Sequence, residues 1–260
     1  MTVVERHDEG TFCWMEIAAT DQSGLDFYPR LLGWEADTQP VPGGSYTMFS
    51  LGGRPVAGGF LLGEEQIANG MPAHWNLYVS VADVDAAVER AKKLAGTLVV
   101  GPIDIPKTGR TAAIADPTGA VICLWQEAGH IGFHVRDEPG TFSWPELLTP
   151  DTGRAVEFYG GLFGWTADEP VAMGSSGQYR ILRLGGHTLG GLGTPPDEGV
   201  GPAWFPYLEV ADCDAAVAFA VELGGHVHMD PITVERAGRL AAMGDPNDAS
   251  FFVIRSEPTE

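Results

Sequence analysis

Short apolar runs fit for strands alternate with stretches of helical periodicity along this chain, and the alternation recurs. Asp21, Asp83, Asp151 and Asp212 each follow an apolar run, and each precedes apolar residues at helical spacing, as in Val84, Val88, Ala91 and Leu94/Ala95. An Asp side chain accepts a backbone N–H of the first helical turn, so helices are predicted to begin at these four positions. A glycine is expected to end each one: Gly33, Gly96, Gly164 and Gly225. The interval is 13 residues for three of the pairs and 12 for Asp21/Gly33, where one residue is missing. Beyond the glycines, "YTMFSLGG" and "YRILRLGG" alternate and then turn, as antiparallel strands do. The predicted unit is strand, helix and about three strands, present four times.

The units pair into a twofold repeat. "GTFCWMEIAATD" at 10–21 returns as "GTFSWPELLTPD" at 140–151, and "FYPRLLGW" at 27–34 as "FYGGLFGW" at 158–165. "VADVDAAV" at 81–88 matches "VADCDAAV" at 210–217; Arg110 and Asp116-Pro117 match Arg239 and Asp245-Pro246. Two similar domains follow, 1–128 and 138–260, joined by a linker at 129–137.

Composition narrows the partners. A chain of 260 residues with 44% hydrophobic residues can bury a sizeable core, and a formal net charge of -20 repels phosphate backbones and anionic membranes. Nucleic acid and membrane are therefore not expected as partners, whereas a small neutral or cationic ligand is compatible. The start "MTVVERHDEG" lacks a basic stretch followed by an apolar run, and a cytoplasmic location is expected. Cys13, Cys123 and Cys213 are widely spaced and form no CxxC, which points to reduced thiols rather than a disulfide framework or a zinc knuckle.

Four βαβββ units, the "D…FY…LGW" pattern after a first strand, and "DPTG" or "DPND" before a last strand resemble the vicinal oxygen chelate superfamily of glyoxalase I, bleomycin-resistance proteins and extradiol dioxygenases. The resemblance covers about 10–128 and 138–256. It implies an α+β fold in which the four units form two glyoxalase-like half-barrel domains, each with a ligand cup. It also implies where metal ligands would stand. Seven residues before the capping Asp, usually a His position, this chain has Trp14, Asn76, Trp144 and Phe205; seven after the Asp of the DP landmark, usually a Glu position, it has Cys123 and Phe252. Neither "PVAGGFLL" nor "TLGGLGT" supplies an acidic residue or a His. No metal and no other cofactor is expected.

Residues two apart on a strand share a face, so Glu16 points with Trp14 and Glu146 with Trp144, into the cups if the register of the resemblance holds. The aromatic ring offers a platform and the carboxylate a strong acceptor for a ligand; alternatively each Trp fills the place of the metal and each Glu pairs with an Arg or a backbone amide. His74 is placed on the rim of the first cup, beside Asn76. "HVH" at His226 and His228 has no acidic partner in register and reads as structural, and His130 and His134 fall in the linker. Cys123 lacks a nearby cation to activate it and reads as a small hydrophobe. "GGRPVAGG" and "GGHTLGG" read as hairpin turns.

The function expected is metal-independent binding of a small hydrophobic or aromatic metabolite in detoxification, antibiotic resistance or natural-product tailoring. Binding would use Trp14, His74, Asn76, Tyr78, Cys123 and Trp125 in the first cup, and Trp144, Phe205, Tyr207 and Phe252 in the second. The alternatives are a metal-free isomerase, cyclase or lyase with Glu16 or Glu146 as acid/base, a metal-dependent lyase or dioxygenase, and an interaction scaffold. Monomer and homodimer both stay open.

Overall fold

A computed structural model describes residues 2–173, 177–196 and 199–257. The first unit comprises β1 (Phe12–Ala19), α1 (Gln22–Leu32), β2 (Glu35–Val41), β3 (Gly44–Leu51) and β4 (Arg54–Leu61). The second comprises β5 (His74–Ser80), α2 (Val84–Lys93), β6 (Thr97–Ile105), β7 (Gly109–Ala115) and β8 (Val121–Glu127). In the third, β9 (Phe142–Leu148) and α3 (Thr152–Phe163) precede β10 (Thr166–Ala167), β11 (Val171–Met173), β12 (Gly177–Leu184) and β13 (His187–Gly193). The fourth runs β14 (Ala203–Glu209), α4 (Cys213–Glu222), β15 (His226–Val234), β16 (Gly238–Gly244) and β17 (Ser250–Ser256).

All four helices start where the Asp pattern places them. Asp21 accepts the N–H of Ser23 at 2.8 Å, Asp83 that of Ala86 at 2.9 Å, Asp151 that of Arg154 at 2.9 Å and Asp212 that of Ala215 at 3.0 Å. The shorter interval after Asp21 appears as an 11-residue α1 against a 12-residue α3. Only two of the four expected glycine stops hold. Gly33 and Gly164 cap α1 and α3 in the left-handed conformation, whereas α2 and α4 are capped by Leu94 and Leu223. Gly96 and Gly225 serve a different need: a Cβ there would press on Phe158 or Phe27, each from the opposite half of the chain.

Each half curls one sheet, in the order β2-β3-β4-β1-β5-β8-β7-β6 and β10-β12-β13-β9-β14-β17-β16-β15. The second gains a ninth strand because the counterpart of β2 is broken into β10 and β11. Two elements lie outside the pattern, a short helix at Glu64–Ala68 and a ladder joining Val135–Arg136 of the linker to Thr2–Val3.

The "FY…GW" motif holds the halves together. Tyr28 donates to Asp245 Oδ2 at 3.0 Å and accepts the indole N–H of Trp75 at 3.0 Å. Tyr159 accepts from Trp204 at 2.8 Å and faces Asp116, outside ordinary hydrogen-bonding geometry, so the repeat is not fully symmetric. Trp34 donates to the carbonyl of Gly140 and Trp165 to that of Gly10, at 2.6 and 2.7 Å. One continuous apolar core therefore runs through both halves, and Phe133 of the linker stacks on Phe142 within it. Tyr28→Phe leaves both the Trp75 N–H and the Asp245 oxygen unpaired in a site closed to water, and should cost about 1–3 kcal/mol in urea unfolding.

Candidate functional site

The cups are built by strand parity around the first strand of each half. In the first sheet Trp14 pairs with Tyr78, Glu16 with Asn76, and Tyr78 with Cys123, so these five side chains share one face. The alternate residues Cys13, Met15 and Ile17 are fully buried on the other face. In the second sheet the corresponding set is Trp144, Tyr207, Glu146, Phe205 and Phe252.

The repeated Trp and Glu belong to a repeated hydrogen-bond chain. Trp14 donates to the Tyr46 hydroxyl at 3.2 Å, Tyr46 donates to Glu16 Oε1 at 2.6 Å, and Tyr78 donates to Glu16 Oε2 at 2.5 Å. In the other half Trp144 donates to Tyr179 at 3.2 Å, and Tyr179 and Tyr207 both donate to Glu146 Oε2, at 3.1 and 3.0 Å. The carboxylates thus pair with phenols, not with an Arg or a backbone amide. Tyr46 and Tyr179 are not among the residues that the sequence pattern singles out, although they open the matching stretches "YTMFSLGG" and "YRILRLGG".

Their hydroxyls explain glycines that sequence reading takes for turns. Gly52, Gly53, Gly185 and Gly186 do form hairpin turns, but Gly58 and Gly191 lie inside β4 and β13, where a Cβ would overlap the Tyr46 or Tyr179 hydroxyl. The mid-strand glycines make room for the tyrosines.

Burial dominates the electrostatics. It raises the Glu16 carboxyl and pushes Glu146 up to about 7, while the tyrosine hydrogen bonds pull each back down. Tyr46 and Tyr78 are raised by burial and then by the Glu16 charge. Burial first, and Glu16 second, push the Cys123 thiol far up, so it stays protonated and is no nucleophile.

The linker closes one end of the first cup. The His130 ring stands edge-on to Trp14 at 4.6 Å, Phe133 lies 5.5 Å from the same indole, and Trp125 donates to the His130 carbonyl at 2.8 Å. His130, a linker residue by sequence, is therefore part of the cup; burial lowers it to about 4 and keeps it neutral.

A cavity of about 610 Å³ opens on this cup and crosses the rim to the C-terminal half. His74, Asn76, Tyr78 and Cys123 line it, and Phe205 joins them from the other half. Trp14, Glu16 and Trp125 are not in its lining; Trp14 and Trp125 are almost wholly buried and Glu16 keeps a little accessible surface. Trp144, Glu146, Tyr207 and Phe252 remain in the second cup, where Phe252 stacks on Tyr207 with centroids 4.3 Å apart.

These donors do not fit the divalent metal that the fold resemblance implies. Among the described residues no three of His, Cys, Asp or Glu gather closely enough to hold an ion. Each cup offers a single carboxylate, already engaged by two phenols; the first adds an amide, a neutral thiol and, toward its edges, the His74 and His130 imidazoles, which do not gather with Glu16 or Cys123 into a set of three. One histidine does gain an acidic partner that the sequence concealed. His228 Nε2 lies 2.8 Å from Asp248 Oδ1, brought there by the turn before β17.

Comparison with known proteins agrees with this architecture. The profile described as "Glyoxalase/Bleomycin resistance protein/Dioxygenase superfamily" matches residues 17–124 and 141–251. The chain is 39% identical over 256 residues to "Putative glyoxylase CFP32" of Mycobacterium tuberculosis (strain CDC 1551 / Oshkosh), covering 97% of each chain. It is 34% identical over 268 residues to "Anthracycline biosynthesis protein DauV" of Streptomyces sp. (strain C5), covering 96% of this chain and 94% of the relative. Among solved structures, 2,2',3-trihydroxybiphenyl 1,2-dioxygenase of Sphingomonas wittichii strain RW1 superposes with a TM-score of 0.67 at 15% identity, covering 96% and 91% of the two chains. The Mn(II)-bound glyoxalase of Novosphingobium aromaticivorans gives 0.65 at 13%, covering 95% and 82%. Those two likenesses show the fold alone. Helices capped at all four aspartates, two curled sheets with the same strand order and a profile matching both halves lead to one conclusion: the chain belongs to the glyoxalase/bleomycin resistance protein/dioxygenase superfamily.

Proposed function

We propose that the protein binds a small, largely apolar aromatic metabolite without a metal, in the cavity between the first cup and the rim of the C-terminal half, and acts in natural-product tailoring, resistance or detoxification. The cavity carries this reading. Its volume of about 610 Å³ suits a drug-sized ligand, and a mostly apolar wall with a few polar groups such as His74, Asn76, Tyr78 and Thr111 is how such pockets orient one. Its lining includes no Lys or Arg, and the chain's net charge of -20 disfavours an anionic ligand. The relatives named as anthracycline biosynthesis proteins support an aromatic natural product. The donor sets described above support a metal-free site.

The test is a fluorescence titration with a panel of polycyclic aromatic compounds, before and after treatment with a chelator. Phe205→Ala should weaken binding by roughly 5- to 150-fold through lost aromatic contact, on the order of 1–3 kcal/mol, and chelation should leave the affinity unchanged. If Phe205→Ala and Asn76→Ala both bind like the parent while Trp144→Ala does not, the ligand sits in the second cup.

A second reading adds turnover. Tyr78 lines the cavity and donates to Glu16, so a ligand hydroxyl or acidic C–H at Tyr78 has a route for its proton to a buried carboxylate. Glu146 with Tyr207 repeats the pair in the second cup. Glu16→Gln would then spare binding and abolish any isomerisation or lyase activity.

A further inference from the structure

At the C-terminal rim of the cavity three side chains line up in a way the first repeat does not share. His228 Nε2 is 2.8 Å from Asp248 Oδ1, and His228 Nδ1 is 3.4 Å from the Ser250 hydroxyl. A carboxylate only accepts, so the ring proton belongs on Nε2, and the Nδ1 lone pair faces Ser250. Asp248 and Ser250 both line the cavity. The backbone accommodates the trio through features of which the bulge and the positive φ recur in the first repeat, at Val99 and Gly119. His228 is the inserted residue where the β15–β16 register shifts between Val227 and Met229, and Asp248 sits at a φ of 66°. A Cβ on Gly244 would come within 2.8 Å of His228 Nε2 and 2.5 Å of Asp248 Oδ1, so glycine admits the pair. The first repeat has the same bulge, between Leu98 and Val100, but its matching residues are Val99, Ala115, Gly119 and Val121. The fold does not require the polar trio.

We propose that Ser250, His228 and Asp248 form a nucleophile–base–orienter site that cleaves esters of the aromatic ligands held in the cavity. This rests on the cavity being the ligand site. Ser250 Oγ bonds to the acyl carbon while its proton passes to His228 Nδ1 and the carbonyl π pair moves onto oxygen. As the carbonyl re-forms, the bond to the leaving oxygen breaks, and the alcohol or phenol departs with the proton from His228. Water then attacks the acyl-serine, giving its proton to His228 Nδ1; that proton returns to Ser250 Oγ as the carboxylic acid leaves. Asp248 holds the ring in the tautomer that accepts at Nδ1.

The full-length protein is incubated with diisopropyl fluorophosphate and mapped by peptide mass spectrometry, and p-nitrophenyl acetate hydrolysis is followed in parallel. A single adduct on Ser250 is expected, absent in Ser250→Ala. Hydrolysis should fall on the order of 100-fold or more in Ser250→Ala and His228→Gln, and on the order of 10-fold in Asp248→Asn. All three side chains are at least partly exposed, so the variants should fold. No adduct on Ser250, or hydrolysis unchanged in Ser250→Ala, overturns the proposal. If aromatic ligands still bind in that case, only the trio is refuted; if they do not bind, the cavity reading fails with it.

Discussion

Trp14→Ala is expected to lower folding stability by about 3–5 kcal/mol, the cost of emptying a buried tryptophan site that cannot collapse. The indole is 3% exposed and wedged between the strand and the linker, with His130 at 4.6 Å and Phe133 at 5.5 Å. Removing it empties the closed end of the first cup and takes from Tyr46 the donor that orients it toward Glu16. For a chain of this size the melting temperature should fall by roughly 10 °C. Trp144, the counterpart, is only half-buried and makes the same bond to Tyr179, so Trp144→Ala should cost about 1–3 kcal/mol. Urea unfolding of both variants decides the matter. Equal losses would mean that the linker does not brace Trp14 as described.

Glu146→Gln should stabilise the protein at pH 8 and do little at pH 4. Burial raises the Glu146 carboxyl from an ordinary 4.5 to about 7, so between those values the folded state keeps a proton that the unfolded state has released. The stability this contributes is fully present below about pH 4.5 and is lost as pH rises through about 7. At roughly 1.4 kcal/mol per pKa unit the loss approaches about 3 kcal/mol. The amide is never charged and escapes it. Its single carbonyl oxygen can accept from both Tyr179 and Tyr207, as Glu146 Oε2 does. Melting curves of parent and variant across pH 4–8 should diverge as pH rises; parallel curves would mean that Glu146 is ionised in the fold at little cost.

The sites differ in how far they could be read in advance. The family resemblance, counted seven residues back from each capping Asp, points to Trp14, Asn76, Trp144 and Phe205, and period-two alternation turns Glu16 and Glu146 the same way as Trp14 and Trp144, because a strand's geometry is local. The same counting says nothing of Tyr46 and Tyr179, which reach the carboxylates from strands that meet β1 and β9 only through β4 and β13. Nor does it show that His130 returns to pack on Trp14, or that Asp248 meets His228 across a turn.

What this sequence determines alone is what depends on neighbours along the chain: four helices opened by Asp side chains, strands told by alternation, and two halves told by repetition. The tertiary structure decides what depends on residues far apart in sequence. It turns Tyr28 and Trp34 into clamps between the halves, assigns Gly58 and Gly191 to clearing space, and gives each buried carboxylate two phenols instead of a cation. The reason is range: capping and pleating act over a few residues, whereas burial, which sets both the carboxylate pKa values and the cavity wall, exists only once distant strands have closed around them.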